Sequence, residues 1–422
     1  MKRVTAVLRA WLAMPHIGIP ALVGAGATVL LPPYLYVRQF RHVVGSGDSF
    51  IYDFSFFYQA AQRFVADPTT LYADPLFVYP PPSVLSFLPA LLFSQPVAYL
   101  LWNAVVVGLT IVSLRMTLRL YTRSGAPVVP APLAVGVVLA GLGSGPVFQN
   151  LKYGQVNVLV LLAVLAFLTT LRTDRPLQAA LALCAGFWLK LYPLVLLPLA
   201  WGVRRAGRFG AGMALGLVGA PLLLLPVIPG ALYAEFFAER VPLWAGITSQ
   251  GALNASLAGV LTRLTLPPEA ALRAVEVAVP AWVSLAGAVA TAVAFGGVAA
   301  LHAMGRLRRE TAGLIGLALI PVCSTLGWEH VYLLALPLAG FALLDARGRS
   351  RTARILTCVA TLMLMMPRPP ISMLTVLTEH APRLAVDLLN ARCLLATLAL
   401  AAAVAVWSRQ PRGHFNPERG GE

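Results

Sequence analysis

A chain of 422 residues that is 59% hydrophobic and only 11% charged, with a formal net charge of +16, carries more apolar surface than a soluble core can hide. It reads as an integral membrane protein, and its basic excess speaks of membrane orientation and anionic headgroups, not of nucleic acid. Cys184, Cys323, Cys358 and Cys393 all lie in apolar runs without CxxC spacing, which argues against a disulfide framework or a metal site.

A span needs roughly 20 apolar residues. Met1-Lys2-Arg3 precedes an apolar run over 17–37 that has no small-residue cleavage site, so this run predicts a first transmembrane helix and not a removed leader. A first outer loop, 38–82, contains Asp53-Phe54-Ser55-Phe56-Phe57-Tyr58-Gln59-Ala60-Ala61-Gln62-Arg63-Phe64-Val65. Its apolar residues recur at roughly helical spacing and predict an amphipathic helix lying in the membrane interface. The stretch 83–94, between Pro80-Pro81-Pro82 and Gln95-Pro96, is too short to cross alone and predicts a partly inserted helix or the broken start of the next span.

Further spans are predicted over 97–120, 129–147, 154–171, 209–228, 278–303, 311–327, 328–345, 352–367 and 386–407. The region 177–203 makes two short crossings that meet near Lys190-Leu191-Tyr192-Pro193, with the turn buried in protein at membrane depth. A second outer loop covers 229–277, and the Pro- and Gly-containing tail 409–422 reads as disordered and cytoplasmic. The expected architecture is one all-α polytopic membrane domain, 1–408, of about twelve crossings with both termini inside. In that layout the loops of one face hold 21 of the 32 basic residues and five of the 16 acidic ones, which marks that face as cytoplasmic.

The remaining polar clusters fall at outer helix ends. They are Asp48 and Asp53, Val78-Tyr79-Pro80-Pro81-Pro82, Gln149-Asn150-Leu151-Lys152-Tyr153-Gly154-Gln155-Val156-Asn157, Lys190-Leu191-Tyr192-Pro193, Ser249-Gln250-Gly251-Ala252-Leu253-Asn254-Ala255-Ser256 and Gly327-Trp328-Glu329-His330. Their order resembles the glycosyltransferase family 87 pattern over about residues 45–345. The resemblance implies a GT-C-type helical bundle and a metal-independent, cofactor-free transferase in a bacterial cytoplasmic membrane. It also implies transfer of a sugar, usually mannose and in some members arabinofuranose, from a polyprenyl-phosphate donor to a lipid-linked or glycan acceptor outside.

Such a reaction needs a base for the acceptor hydroxyl and positive or donor groups for the leaving phosphate. Asp53, which matches the family's first-loop acid, is the expected base of an inverting displacement; its alternative role is the N-cap of a helix starting at Phe54. Lys190 and His330, with Lys152 behind them, are expected at the phosphate, His330 also assisting acid–base chemistry. Lys190 sits in an apolar segment where an ammonium is costly, although a lysine at a helix end can also snorkel. Tyr58, Tyr79, Gln155, Asn157, Gln250, Asn254, Trp328 and Glu329 are expected to contact sugar or acceptor. Gln155 and Asn157 serve equally well as helix-to-helix glue, and Tyr79 with its prolines as a rigid helix entry. A transporter or flippase of a lipid-linked precursor is the competing class, but the chain shows no pair of similar halves with matching broken helices.

Overall fold

The computed structural model describes residues 2–45, 52–123, 128–249, 251, 254–266, 276–366 and 383–408. Asp48, Gln250 and the tail 409–422 lie outside these residues. Helix α1 (Lys2–Ala13) leads into α2 (Pro15–Gly45), followed by α3 (Tyr52–Ala66); two 3-10 turns, Pro81–Ser86 and Leu88–Leu92, run into α4 (Gln95–Arg123). Next come α5 (Ala131–Leu142), α6 (Gly145–Tyr153), α7 (Asn157–Arg172), α8 (Pro176–Leu189) and a 3-10 run over Tyr192–Ala200. Helix α9 (Ala206–Ala214) joins α10 (Ala220–Leu224) through a π turn, as α11 (Gly230–Glu235) joins α12 (Val241–Ala245). Strands β1 (Ile247–Ser249) and β2 (Glu276–Ala278) pair antiparallel and flank α13 (Leu257–Leu264) in sequence. The chain continues through α14 (Ala281–Ala303), α15 (Arg309–Cys323), a 3-10 run over Glu329–Ala335, α16 (Leu336–Asp345), α17 (Arg351–Met365), α18 (Arg383–Asn390) and α19 (Arg392–Trp407).

Among the described residues, four helical stretches are long and apolar enough to cross a membrane: Gln95–Thr122, Ala206–Leu224, Ala281–Ala303 and Glu329–Gly348; α5 and α6, bent by 49°, make a fifth if counted together. Shorter apolar helices stand beside them, α7 and α8 among them. At about 1.5 Å per residue α8 reaches only about 21 Å, less than a hydrocarbon core of about 30 Å, so its C-terminal break stops short of a full crossing.

Small residues let the helices approach. A Cβ on Gly24 of α2 would stand 2.2 Å from the carbonyl oxygen of Leu139 on α5, and one on Gly143 would stand 2.3 Å from the carbonyl oxygen of Gly24. This close crossing replaces hydrophobic driving force, which is absent between helices in lipid, with backbone-to-backbone packing. At Gly143 and Ser144 the chain turns into α6, and the Ser144 hydroxyl caps the new helix by accepting from Val147 N. The predicted span 129–147 is therefore interrupted, and Gln149 and Asn150 sit on a helix of their own.

Helix α3 forms where the pattern predicts an amphipathic helix, and protein covers its apolar face. Its apolar face, Phe54, Phe57, Ala60, Ala61 and Phe64, is buried in protein against Phe77, Phe87 and Tyr99, with Phe57 stacked on Phe87 at 4.5 Å. Aromatic rings supply enough area to hold the helix down by protein contact, without recourse to lipid. Asp53 also lies inside the first turn, one residue after Tyr52, and not at the N-cap.

The helices share a polarity. Helix α7 runs from Asn157 to Arg172, α8 from Pro176 beside Arg175 to the break at Lys190, and α15 from Arg309 to Cys323; the stretch from Trp328 returns to Arg347 and Arg349. Arginines thus cluster at one end, where Arg172 pairs with Glu310, and the amide-rich breaks at the other. Adding a methyl at the closest crossing tests the packing: Gly24→Ala should lower stability by about 1–3 kcal/mol through overpacking, read as a reduced thermal midpoint of the purified protein in detergent.

Candidate functional site

The amide-rich breaks wall a cavity of about 690 Å³. Asp53 from α3, Tyr79 from the segment before α4, Gln149 and Tyr153 from α6, Gln155 from the break before α7, Lys190 and Tyr192 from the break after α8, and Trp328, Glu329 and His330 all line it. So do Arg240, Trp244 and Glu276 from the region 229–277.

A continuous hydrogen-bond chain connects these groups. Gln155 Nε2 donates to Asp53 Oδ2 at 2.5 Å, while Gln155 Oε1 accepts from Tyr79 OH at 3.1 Å and from Lys190 Nζ at 3.3 Å. Lys190 Nζ also donates to Asn157 Oδ1 at 2.9 Å, which accepts from Tyr192 OH at 3.1 Å. Asn157 Nδ2 donates to Asn150 Oδ1 at 3.2 Å, and Asn150 Nδ2 reaches the backbone carbonyl of His330 at 2.5 Å. Lys190 Nζ lies 5.0 Å from the centre of the Tyr79 ring, a cation–π distance.

The local backbone explains why these side chains meet. Helix α6 ends on Gly154, whose φ of +66° suits glycine, and a Cβ there would come within 2.7 Å of Phe54 Cβ. The glycine's close approach is thus to α3 and not to a ligand, and it brings the following Gln155 within reach of Asp53. Beyond Leu189 the chain turns extended at Lys190 before the proline-containing 3-10 run, which leaves the ammonium at a broken helix end among amide oxygens.

The segment Trp328 to His330 is gripped from three sides. Trp328 forms an isolated antiparallel bridge with Asn254; Glu329 Oε1 accepts from Arg392 Nη2 at 2.6 Å, both side chains being 4% exposed; and Asn150 holds the His330 carbonyl. Asn254 itself is fully buried, donating to Ser249 O and Thr325 O and accepting from Gly327 N at 2.9 Å. It therefore lies behind the cavity as a structural clasp, not in its wall. Tyr58 donates to Phe93 O at 2.8 Å and Lys152 lies over the Tyr153 ring at 5.1 Å; neither side chain is part of the cavity lining, and Asn157 supports it from one layer beneath.

Burial pushes the Asp53 carboxyl above the ordinary carboxylate range, against the opposing pull of the Gln155 bond and of the Lys190 and Lys152 charges. A carboxylate with a raised pKa is a stronger base, and one with a hydrogen-bonded amide on one oxygen keeps a defined orientation. Sequence reasoning put Asn150 and Tyr192 in the outer-end clusters without a role and did not find Arg392, Arg240 or Glu276 as neighbours of this region. Arg392 gave a signal, a charge opening an apolar run, but nothing in the sequence identifies Glu329 as its partner.

A mostly helical membrane protein with broken helices around an ionisable, amide-lined cavity has the form of a membrane-embedded ligand-binding or catalytic protein. The chain belongs to glycosyltransferase family 87, whose model matches residues 77–325. No curated protein matches it. It is a membrane glycosyltransferase by family, which sets the transporter alternative aside. Tyr79, Gln155, Asn157 and Lys190 fall within the matched interval; Asp53 and His330 fall outside it and are joined to it by the Gln155 and Asn150 hydrogen bonds.

Removing one member of the buried Glu329–Arg392 pair leaves the other charge uncompensated. Arg392→Leu should destabilise the protein by about 3–5 kcal/mol, whereas Arg392→Leu combined with Glu329→Leu should recover much of that loss, measured as thermal midpoints at equal expression.

Proposed function

We propose that the protein moves a sugar, with mannose expected first, from a polyprenyl-phosphate donor to a lipid-linked or glycan acceptor at the extracytoplasmic side of a bacterial cytoplasmic membrane. The acceptor hydroxyl attacks the anomeric carbon as Asp53 takes its proton. The new oxygen–carbon bond forms as the bond to the phosphate oxygen breaks, and the polyprenyl phosphate leaves with the electron pair, inverting the anomeric centre. Lys190 and His330 face the charge that develops on the leaving oxygen. The observation that carries this reading is that Asp53, Lys190 and His330, from three distant parts of the chain, line one cavity.

The apolar lining from Phe56, Leu191, Val195 and Phe236 suits the first isoprene units of a lipid donor. The arginine-rich ends of the helices support this orientation, since the positive-inside rule favours the opposite, cavity-bearing end outside. The four long spans, the bent pair and the five shorter apolar helices make ten candidates among the described residues, and the proposed layout of about twelve crossings also counts α15 and α17. No metal or cofactor is part of the proposed chemistry.

Transfer from radiolabelled polyprenyl-phosphate mannose into extractable lipid tests this reading. Membranes with the wild-type chain should transfer label, and Asp53→Asn at matched expression should lose at least about 10²–10⁴-fold, the size of a general-base contribution; equal transfer by both removes Asp53 from catalysis. Because the base works ionised and its pKa is raised by burial, wild-type kcat/KM should fall with decreasing pH through a midpoint above the carboxyl's ordinary 3.8. Sidedness is read separately: Leu76→Cys, at the cavity, should react with an impermeant maleimide in intact cells, and Arg204→Cys should not.

A further inference from the structure

Two residues of the cavity wall hold buried polar atoms that bond to no protein group. Among the described residues, Gln149, 6% exposed, has a buried Oε1 that accepts from no donor, and the buried Nε1 of Trp244 donates to no acceptor. Both side chains line the cavity. A buried polar atom left without a partner costs about 1–3 kcal/mol, so native structures rarely keep one without a use.

The positions are built, not incidental. Gln149 lies four residues before Tyr153 on α6, which puts both on the helix face that lines the cavity, while the neighbouring Asn150 is occupied with the His330 carbonyl. Trp244 comes from α12, in the region 229–277, and presents an aromatic ring together with an N–H. An acceptor oxygen, an indole donor and aromatic surface match a sugar ring, whose hydroxyls both donate and accept and whose C–H faces pack on aromatics. Neither side chain carries the positive charge that a phosphate monoester calls for. The phosphate-facing charge of the cavity lies elsewhere, at Lys190.

We infer that Gln149 and Trp244 form a subsite that reads hydroxyls of a sugar, either the one transferred or the terminal sugar of the acceptor. A hydroxyl donates to Gln149 Oε1, and Trp244 Nε1 donates to a hydroxyl oxygen. The inference rests on the transferase reading for its substrate class but not on the lipid carrier.

The test is equilibrium binding of radiolabelled hexyl α-mannoside to the full chain in lipid nanodiscs, with hexyl glucoside, galactoside and mono-deoxy mannosides as competitors. Wild type should bind saturably. Gln149→Leu should weaken binding at least about tenfold, Trp244→Phe, which keeps the ring and loses the N–H, about three- to tenfold, and Gln149→Glu, which keeps an acceptor, less than about threefold. Thermal midpoints of the variants serve as the control for folding, and Gln149→Glu against Trp244→Phe keeps the comparison valid if the leucine variant does not fold. Binding by the variants within twofold of wild type, or no saturable glycoside binding by wild type, overturns the subsite. In steady-state transfer, a raised KM for the donor assigns the hydroxyl to the transferred sugar, and a raised KM for the acceptor assigns it to the acceptor. Glycoside binding that depends on Gln149 without transfer from any polyprenyl-phosphate sugar would sink the lipid-donor reading and leave the subsite standing.

Discussion

The ammonium of Lys190 at a broken helix end is the constraint around which the cavity is organised. An ion taken out of water must recover its solvation from fixed dipoles or an opposite charge. Here it takes the oxygens of two amides, Gln155 and Asn157, and the face of the Tyr79 ring. Once those oxygens point at Lys190, the amide nitrogens point away. That of Gln155 meets the Asp53 carboxylate, and that of Asn157 meets Asn150 and, through it, the segment that carries His330. One charge therefore orients two amides, and the two amides orient an acid and a histidine-bearing turn. In a low-dielectric setting such linked bonds reinforce one another and make partial occupancy costly.

This arrangement requires helices that stop inside the protein. Non-helical backbone there has no water to bond, so each break must be closed within the protein. The closures are visible: Ser144 caps α6, Gly154 ends it in a left-handed turn, Lys190 N donates to Gly186 O, and Asn254 satisfies the backbone around Thr325 and Gly327 with its amide. The same residues that end helices also expose the side chains that follow them. Structural clasp and cavity wall are thus successive residues of one sequence, which is why Asn254, chemically suited to sugar binding, serves the backbone while Trp328 beside it lines the cavity.

Much of this was legible in the sequence because lipid imposes simple rules. Arginine spacing gave the common polarity of the helices, and the broken hairpin at Lys190 followed from two arginine clusters too close together for two full spans. The grouping of Asp53, Tyr79, Gln155, Lys190 and His330 was approached through motif order. What failed was anything decided by partner choice in three dimensions. The aromatic stripe of α3 has the periodicity of an interfacial helix, and periodicity is the same whether the covering surface is lipid or Phe87 and Tyr99. The run 129–147 is apolar throughout and carries no local mark of its bend; the close crossing of Gly143 with Gly24 is a contact between distant parts of the chain. Arg392 and Glu329 are 63 positions apart, and no local pattern couples them.

Within the proposed reaction, the resting site carries opposite charges on either side of the Gln155 amide, Asp53 and Lys190, so it is nearly neutral before a donor enters. A phosphate-bearing donor draws on Lys190, and whatever attraction Lys190 gives to phosphate is withdrawn from Asp53. The carboxylate then loses a stabilising partner just as an acceptor hydroxyl arrives, and its affinity for a proton rises. Donor binding would thereby strengthen the base that the second step requires. The amide between them is suited to that exchange, because it stays bonded to Asp53 through nitrogen whether or not its oxygen still faces the ammonium.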